Sequence, residues 1–106
     1  MSSQWRKGVV EFCILGLLDR EPSYGWALAE ELIGNGLIGS IGTLYPAIKR
    51  LRDNELIRLT PQRGRRRTYA ITPSGSHALS AFIADWPGFA MSVEECVRMR
   101  RGKAIE

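Results

Sequence analysis

Apolar residues in the first fifth of the chain recur at helical spacing. Val10, Ile14, Leu17 and Leu18 fall three or four apart between Trp5 and Asp19, and Phe12, Cys13 and Leu15 widen that face. A helix apolar on most of its sides predicts cover from other helices. Pro22 stops it, because the residue before a proline disfavours helix. Ser23 is then placed to cap a second helix, Tyr24 to about Ile33, with Leu28 and Leu32 inward and Glu30 and Glu31 toward water. A glycine-rich connection, "GNGLIG", follows at 34–39. Ser40 is placed to cap a third helix running to Asn54, a plausible C-cap. Its stripe is Leu44, Ile48 and Leu51, and Pro46 lies near its start, where a missing N–H costs least.

The period then shortens from helix to strand. "LIRLT" at 56–60 and "RRTYAIT" at 66–72 are short and rich in β-branched and aromatic residues, and the intervening "PQRGR" predicts a hairpin with a basic tip. Thr72 caps a last helix with Pro73 at its first position. There Leu79, Phe82, Ile83, Trp86, Ala90, Val93 and Val97 repeat every three or four residues, and Pro87-Gly88 is expected to bend or break the helix. Three helices, a two-stranded wing and a final helix make a mainly α (α+β) winged helix-turn-helix. Residues 1–72 form the winged part and 73–106 a C-terminal dimerisation helix, in one compact domain overall.

Charge changes what the third helix means. The chain carries +4 formally, but between Ser40 and Thr72 eight cations face only two carboxylates, Asp53 and Glu55, so the remainder is mildly acidic. A basic segment in an acidic chain predicts a local polyanion site. Ser40, Thr43 and Tyr45 open the third helix, where N–H groups and the helix dipole favour anions; Lys49, Arg50 and Arg52 lie outside its core stripe and are expected to flank the phosphates. Arg63, Arg65, Arg66 and Arg67 sit on the wing, in reach of an adjacent backbone or minor groove. This is the footprint of duplex DNA. The bland alternatives are that Tyr45 is core, that Ser40 and Thr43 only cap, and that the arginines are a solvated turn. Tyr24 and Gly25 are expected to lock the turn into the second helix, and Tyr69 to pack rather than stack on a base.

The remaining residues exclude other chemistry. There is no glycine-rich phosphate loop, no nucleophile–base pair and no carboxylate cluster, so neither an enzyme nor a cofactor is expected. His77 has no partners for a metal, and Cys13 and Cys96 are expected to be reduced core residues. No apolar run approaches the ~20 residues of a membrane span, and "MSSQWRKG" lacks the apolar stretch of a signal peptide, which predicts a cytoplasmic protein.

Four stretches, "RKGVVEFCILGLL", "PSYGWALAEEL", "GTLYPAIKRLRDNELI" and "RRRTYAITPSG", resemble the PadR family of bacterial transcriptional regulators, in family order and spacing. The most specific parts are Ser-Tyr-Gly after the first helix, Gly-Thr-Leu-Tyr-Pro in the third, and Tyr-x-Ile-Thr-x-x-Gly after the wing. The resemblance implies a homodimeric winged-helix protein, usually a repressor, in which a single C-terminal helix packs on the partner subunit. It also implies a pore between subunits for a planar aromatic small molecule, with Trp86 in the place of the family's ligand-stacking tryptophan. Trp5, Phe12, Phe82, Trp86, Ala90 and Val93 are the candidates for the dimer interface and that slot. The Pro87-Gly88 pair departs from the family pattern. The competing possibility is a winged helix whose basic wing docks an acidic protein partner.

Overall fold

Helix α1 (Gln4–Arg20) runs into a two-residue strand β1 (Ser23–Tyr24), then α2 (Gly25–Gly34) and α3 (Ile41–Asp53). Strands β2 (Ile57–Leu59) and β3 (Thr68–Ile71) follow, and α4 (Pro73–Ile105) ends the fold. This is a computed structural model; it describes residues 4–61 and 67–105, and side chains over 7–61 and 67–98. The three strands form one antiparallel sheet in the order β1-β3-β2. β2 and β3 are the predicted hairpin, with Arg58 opposite Ala70.

β1 is a correction to the expected cap. Ser23 pairs with Tyr69 in the sheet, and Tyr24 takes the N-cap position of α2 without a capping bond from its side chain. The strand joins the turn before α2 to the wing, so both are held on one frame.

The core lies where α1, α2 and α3 meet. Ile14, Leu15, Leu28, Leu32, Leu44 and Leu51 are essentially inaccessible to solvent, each burial contributing about 1.5–3 kcal/mol. Ile57 and Leu79 extend this core under the wing and the start of α4.

Helices α2 and α3 end in the same turn. Leu37 N–H donates to Leu32 O and Gly36 N–H to Ile33 O; one helix later Leu56 N–H donates to Leu51 O and Glu55 N–H to Arg52 O. Both are six-to-one and five-to-two closures that satisfy terminal carbonyls. Both need a left-handed residue, which is Gly36 at φ 73° in the first and Glu55 at φ 59° in the second. The near-repeat Asn-Gly-Leu-Ile and Asn-Glu-Leu-Ile, at 35–38 and 54–57, is therefore a structural repeat as well.

The start of α4 is clamped to that second turn. Thr72 N–H donates to Leu56 O at 3.0 Å and its hydroxyl to Glu55 O at 2.7 Å, while the same hydroxyl accepts from Gly75 N–H at 3.0 Å. This is the predicted Thr72 cap, and it carries a tertiary contact besides.

Pro87-Gly88 neither ends nor breaks α4, which is assigned continuously over 33 residues, about 50 Å. The expectation of a break fails because the φ fixed by proline is itself helical, so the chain forfeits one hydrogen bond to Ile83 and its ring crowds that turn. Pro87 and Ile83 are both exposed, so water can reach the freed carbonyl. Pro46 is the sixth residue of α3, past the four whose N–H groups have no helical partner, so it forfeits the bond to Gly42.

Candidate nucleic-acid interface

Helix α3 has two sides of opposite character. Leu44, Ala47, Ile48 and Leu51 are buried. Tyr45, Lys49 and Arg52, at i, i+4 and i+7, share the exposed flank. Tyr45 is 49% exposed although it is a large aromatic on a helix with a complete core stripe. Its surroundings are polar and cationic: one depression of about 500 Å³ is lined by Tyr45, Ile48, Lys49, Arg52, Asp53 and Tyr69. Another, of about 450 Å³, is lined by Tyr24, Gly25, Trp26, Tyr45, Arg67 and Tyr69. Tyr45 stands between the two, and Tyr69 is half-buried beneath both, packed on the core as expected.

Gly25 lies against both tyrosines at ordinary contact distance. A Cβ there would lie 3.4 Å from the Tyr45 hydroxyl and 3.7 Å from Tyr69 Cε2. The first residue of α2 thus lies directly against the tyrosine of α3.

The other candidates divide. Ser40 occupies the N-cap position of α3 with extended backbone, but its side chain makes no capping bond, and Thr43 is exposed in the first turn. Thr43 lies on the flank of α3 opposite Tyr45. Lys49 donates to Asp53 at 2.8 Å, with both side chains mostly in water; such pairs are worth under about 1 kcal/mol and yield to a phosphate.

Arg50 departs from expectation. It is five residues from Tyr45, roughly 140° round the helix. Its Nε donates to Glu11 Oε2 at 2.8 Å, and the two side chains are 41% and 20% exposed. That guanidinium ties α3 to α1 instead of joining the Tyr45 flank. On the wing, Arg67 is exposed, whereas Arg63, Arg65 and Arg66 lie outside the described residues.

A second cluster lies where α1 meets α4. Phe12 stacks on Phe82 with ring centroids 4.2 Å apart, Phe82 on Trp86 at 5.3 Å, and Phe89 follows at 6.4 Å, tilted. Phe12, Phe82, Asp85, Trp86 and Phe89 line an open cavity of about 250 Å³ with Gly8 and Val9. Of the predicted interface residues, Phe12, Phe82 and Trp86 therefore meet within one protomer. Ala90 is half-covered and Val93 is 46% exposed. The Trp5 side chain lies outside those described. Beyond Ala81 the described part of α4 is almost wholly uncovered, with Ile83, Phe89, Met91 and Val97 each more than half exposed. Cys96 is exposed here, which corrects its reading as a core residue; Cys13 is half-buried, and burial pushes its thiol pKa up.

Among the described residues no group of three or more His, Cys, Asp or Glu is placed to hold a metal ion, and no helix is long and apolar enough to cross a membrane.

Comparison with known proteins fits this geometry. The model of the transcriptional regulator PadR-like family matches residues 14–81. The chain is similar to the crystal structure of a PadR-like transcriptional regulator from Bacillus cereus, at 32% identity over 90% of this chain and 97% of that one, TM-score 0.77. It is similar to a PadR-like transcription factor from Bacteroides fragilis, at 33% identity over 88% and 94% of the two chains, TM-score 0.71. A PadR family transcriptional regulator from Eggerthella lenta matches at 30% identity over 89% and 86%, TM-score 0.74. No curated protein matches the chain.

Proposed function

The chain belongs to the PadR-like family of transcriptional regulators, and from that premise we propose that it acts as a homodimeric repressor that reads an inverted-repeat operator with α3. Membership implies DNA binding and a non-enzymatic role. The observation that carries the assignment of the surface is Tyr45. It is half exposed between two depressions that hold Lys49, Arg52 and Arg67. Tyr45 reads base edges, Lys49, Arg52 and Arg67 hold phosphates, and the uncapped Ser40 hydroxyl and Thr43 contact the strand at the helix end. Arg63, Arg65 and Arg66, in the same basic run of sequence, add phosphate contacts. Arg50 is left out, because it is paired with Glu11.

The exposed apolar side of α4 supports the dimer. Ile83, Trp86, Phe89, Met91, Val93 and Val97 would leave an apolar patch that soluble monomers rarely tolerate. A second copy covers it by two-fold symmetry and sets the two α3 helices about one DNA turn, ~34 Å, apart. Residues 1–72 are then the DNA-binding part and 73–106 the dimerisation helix of a cytoplasmic protein.

The open cavity at Phe12, Phe82 and Trp86 supports a planar aromatic effector. Bound there, it shifts the angle between subunits and separates the α3 helices from successive grooves. Gel-shift titration with a random-sequence competitor, together with sedimentation at micromolar protomer, tests the reading. A dimer that binds duplex DNA is expected; a monomer, or a protein captured only by acidic polypeptides, refutes it. Quenching of Trp86 by planar aromatics, absent in Trp86→Phe, is the test of the effector site.

A further inference from the structure

Trp26 is 57% exposed, and nothing in the interface described above uses it. It stacks almost parallel on Tyr24, with ring centroids 6.1 Å apart and 7° between the planes. Through Gly25 the pair continues into the depression that also holds Tyr45 and Arg67. Trp26 marks a change of charge. On its α3 side the lining contains Arg67 and no carboxylate. On its other side the surface is formed with Glu30 and Glu31. A polyanion lying across α3 and the wing is drawn to the first side and turned back at the second.

We propose that Trp26 and Tyr24 form an aromatic shelf that packs against the sugar–phosphate strand of the duplex whose groove receives α3. The inference rests on DNA binding through α3 and goes beyond it by adding α2 to the contact. A DNA strand alternates apolar deoxyribose with anionic phosphate. The ring faces of Trp26 and Tyr24 suit the sugar, and Arg67 suits the phosphate beside it. Such a contact is blind to base sequence, so the shelf contributes affinity and register rather than specificity. Duplex DNA is the occupant because the shelf is continuous with Tyr45 and because its two sides differ in charge.

The test uses the full chain and a mixed-sequence duplex of about three helical turns. Trp26→Ala is expected to weaken binding about tenfold, from the lost apolar contact. The slope of log K against log salt stays at the wild-type value, because no counterion release is lost. Trp26→Phe restores most of the affinity, while Arg67→Ala lowers the slope by about 0.9. In a protein carrying Trp5→Phe and Trp86→Phe, Trp26 emission shifts on addition of duplex; if that variant does not fold, the affinity series decides alone. Wild-type binding with undiminished binding by Trp26→Ala overturns the shelf and leaves DNA recognition standing. No duplex binding by the wild type at low salt overturns both. A larger response to single-stranded oligothymidylate than to duplex overturns duplex as the occupant. Altered sedimentation of Trp26→Ala at unchanged DNA affinity makes the patch a contact between copies and overturns the inference.

Discussion

Alanine at Gly75 would drive its Cβ into the carbonyl oxygen of Leu56, and would stand only 2.8 Å from Ile71 Cγ1 and 3.0 Å from the Leu56 carbonyl carbon. The obstacle is backbone, so no rotamer change relieves it. Gly75 must move off the turn at Leu56, and α4 must move with it. That displacement strains the Thr72 clamp, in which the backbone N–H holds Leu56 O and the hydroxyl holds Glu55 O. Each such bond is worth about 0.5–1.5 kcal/mol, and overpacking adds roughly 1–3 kcal/mol. Helix propensity acts the other way, favouring alanine over glycine by about 1 kcal/mol. The expected net loss is about 2–3 kcal/mol, or roughly 10–20 °C in Tm for a domain of this size. Urea and thermal unfolding followed by far-ultraviolet circular dichroism, at matched protomer concentration, measure it. Gly34→Ala is the control: it also lies in a helix, but its Cβ meets nothing within 4 Å, so it should be neutral or mildly stabilising. A Gly75→Ala melting temperature at or above wild type would refute the close approach of α4 to the Leu56 carbonyl.

Glu55→Asn should stabilise the fold by about 0.5–1 kcal/mol in urea titration, because Asn accepts the left-handed backbone that Glu55 holds at φ 59°; an unchanged midpoint would mean that this turn stores no strain. Arg50→Ala and Glu11→Ala should show a coupling energy of about 0.5–1 kcal/mol in a double-mutant cycle for stability. Arg50→Ala should leave the salt dependence of non-specific DNA binding at its wild-type slope, and a slope lowered by about 0.9 would return Arg50 to the phosphate contacts. Tyr45→Ala should cost about 1–3 kcal/mol on a selected operator and less on random duplex. Equal losses on both, or a matching fall in Tm, would make Tyr45 structural.

Much of the molecule is written locally in the sequence. Helix stripes such as Leu44, Ile48 and Leu51 depend only on spacing, and their faces are buried as expected. The Thr72 cap, the Asn54 C-cap and the wing strands likewise depend on residues within a few positions of one another. The candidate DNA surface was legible to the same extent: Tyr45, Lys49 and Arg52 fall outside the stripe, and Arg67 falls in a basic run. Tertiary structure decided the rest, because partners far apart in the chain choose among locally equivalent roles. Arg50 and Lys49 are indistinguishable as cations beside a stripe, yet Glu11, 39 residues away, holds one of them on α1. Ser23-Tyr24 looks like a cap until β3 offers it a strand edge. Spacing puts Trp26 one turn from Glu30 on the exposed side of α2, but its neighbours Tyr45 and Arg67 come from distant parts of the chain. Gly75 belongs to a helix by every local rule; only the carbonyl of Leu56, brought against it by the turn at Glu55, requires that it have no side chain.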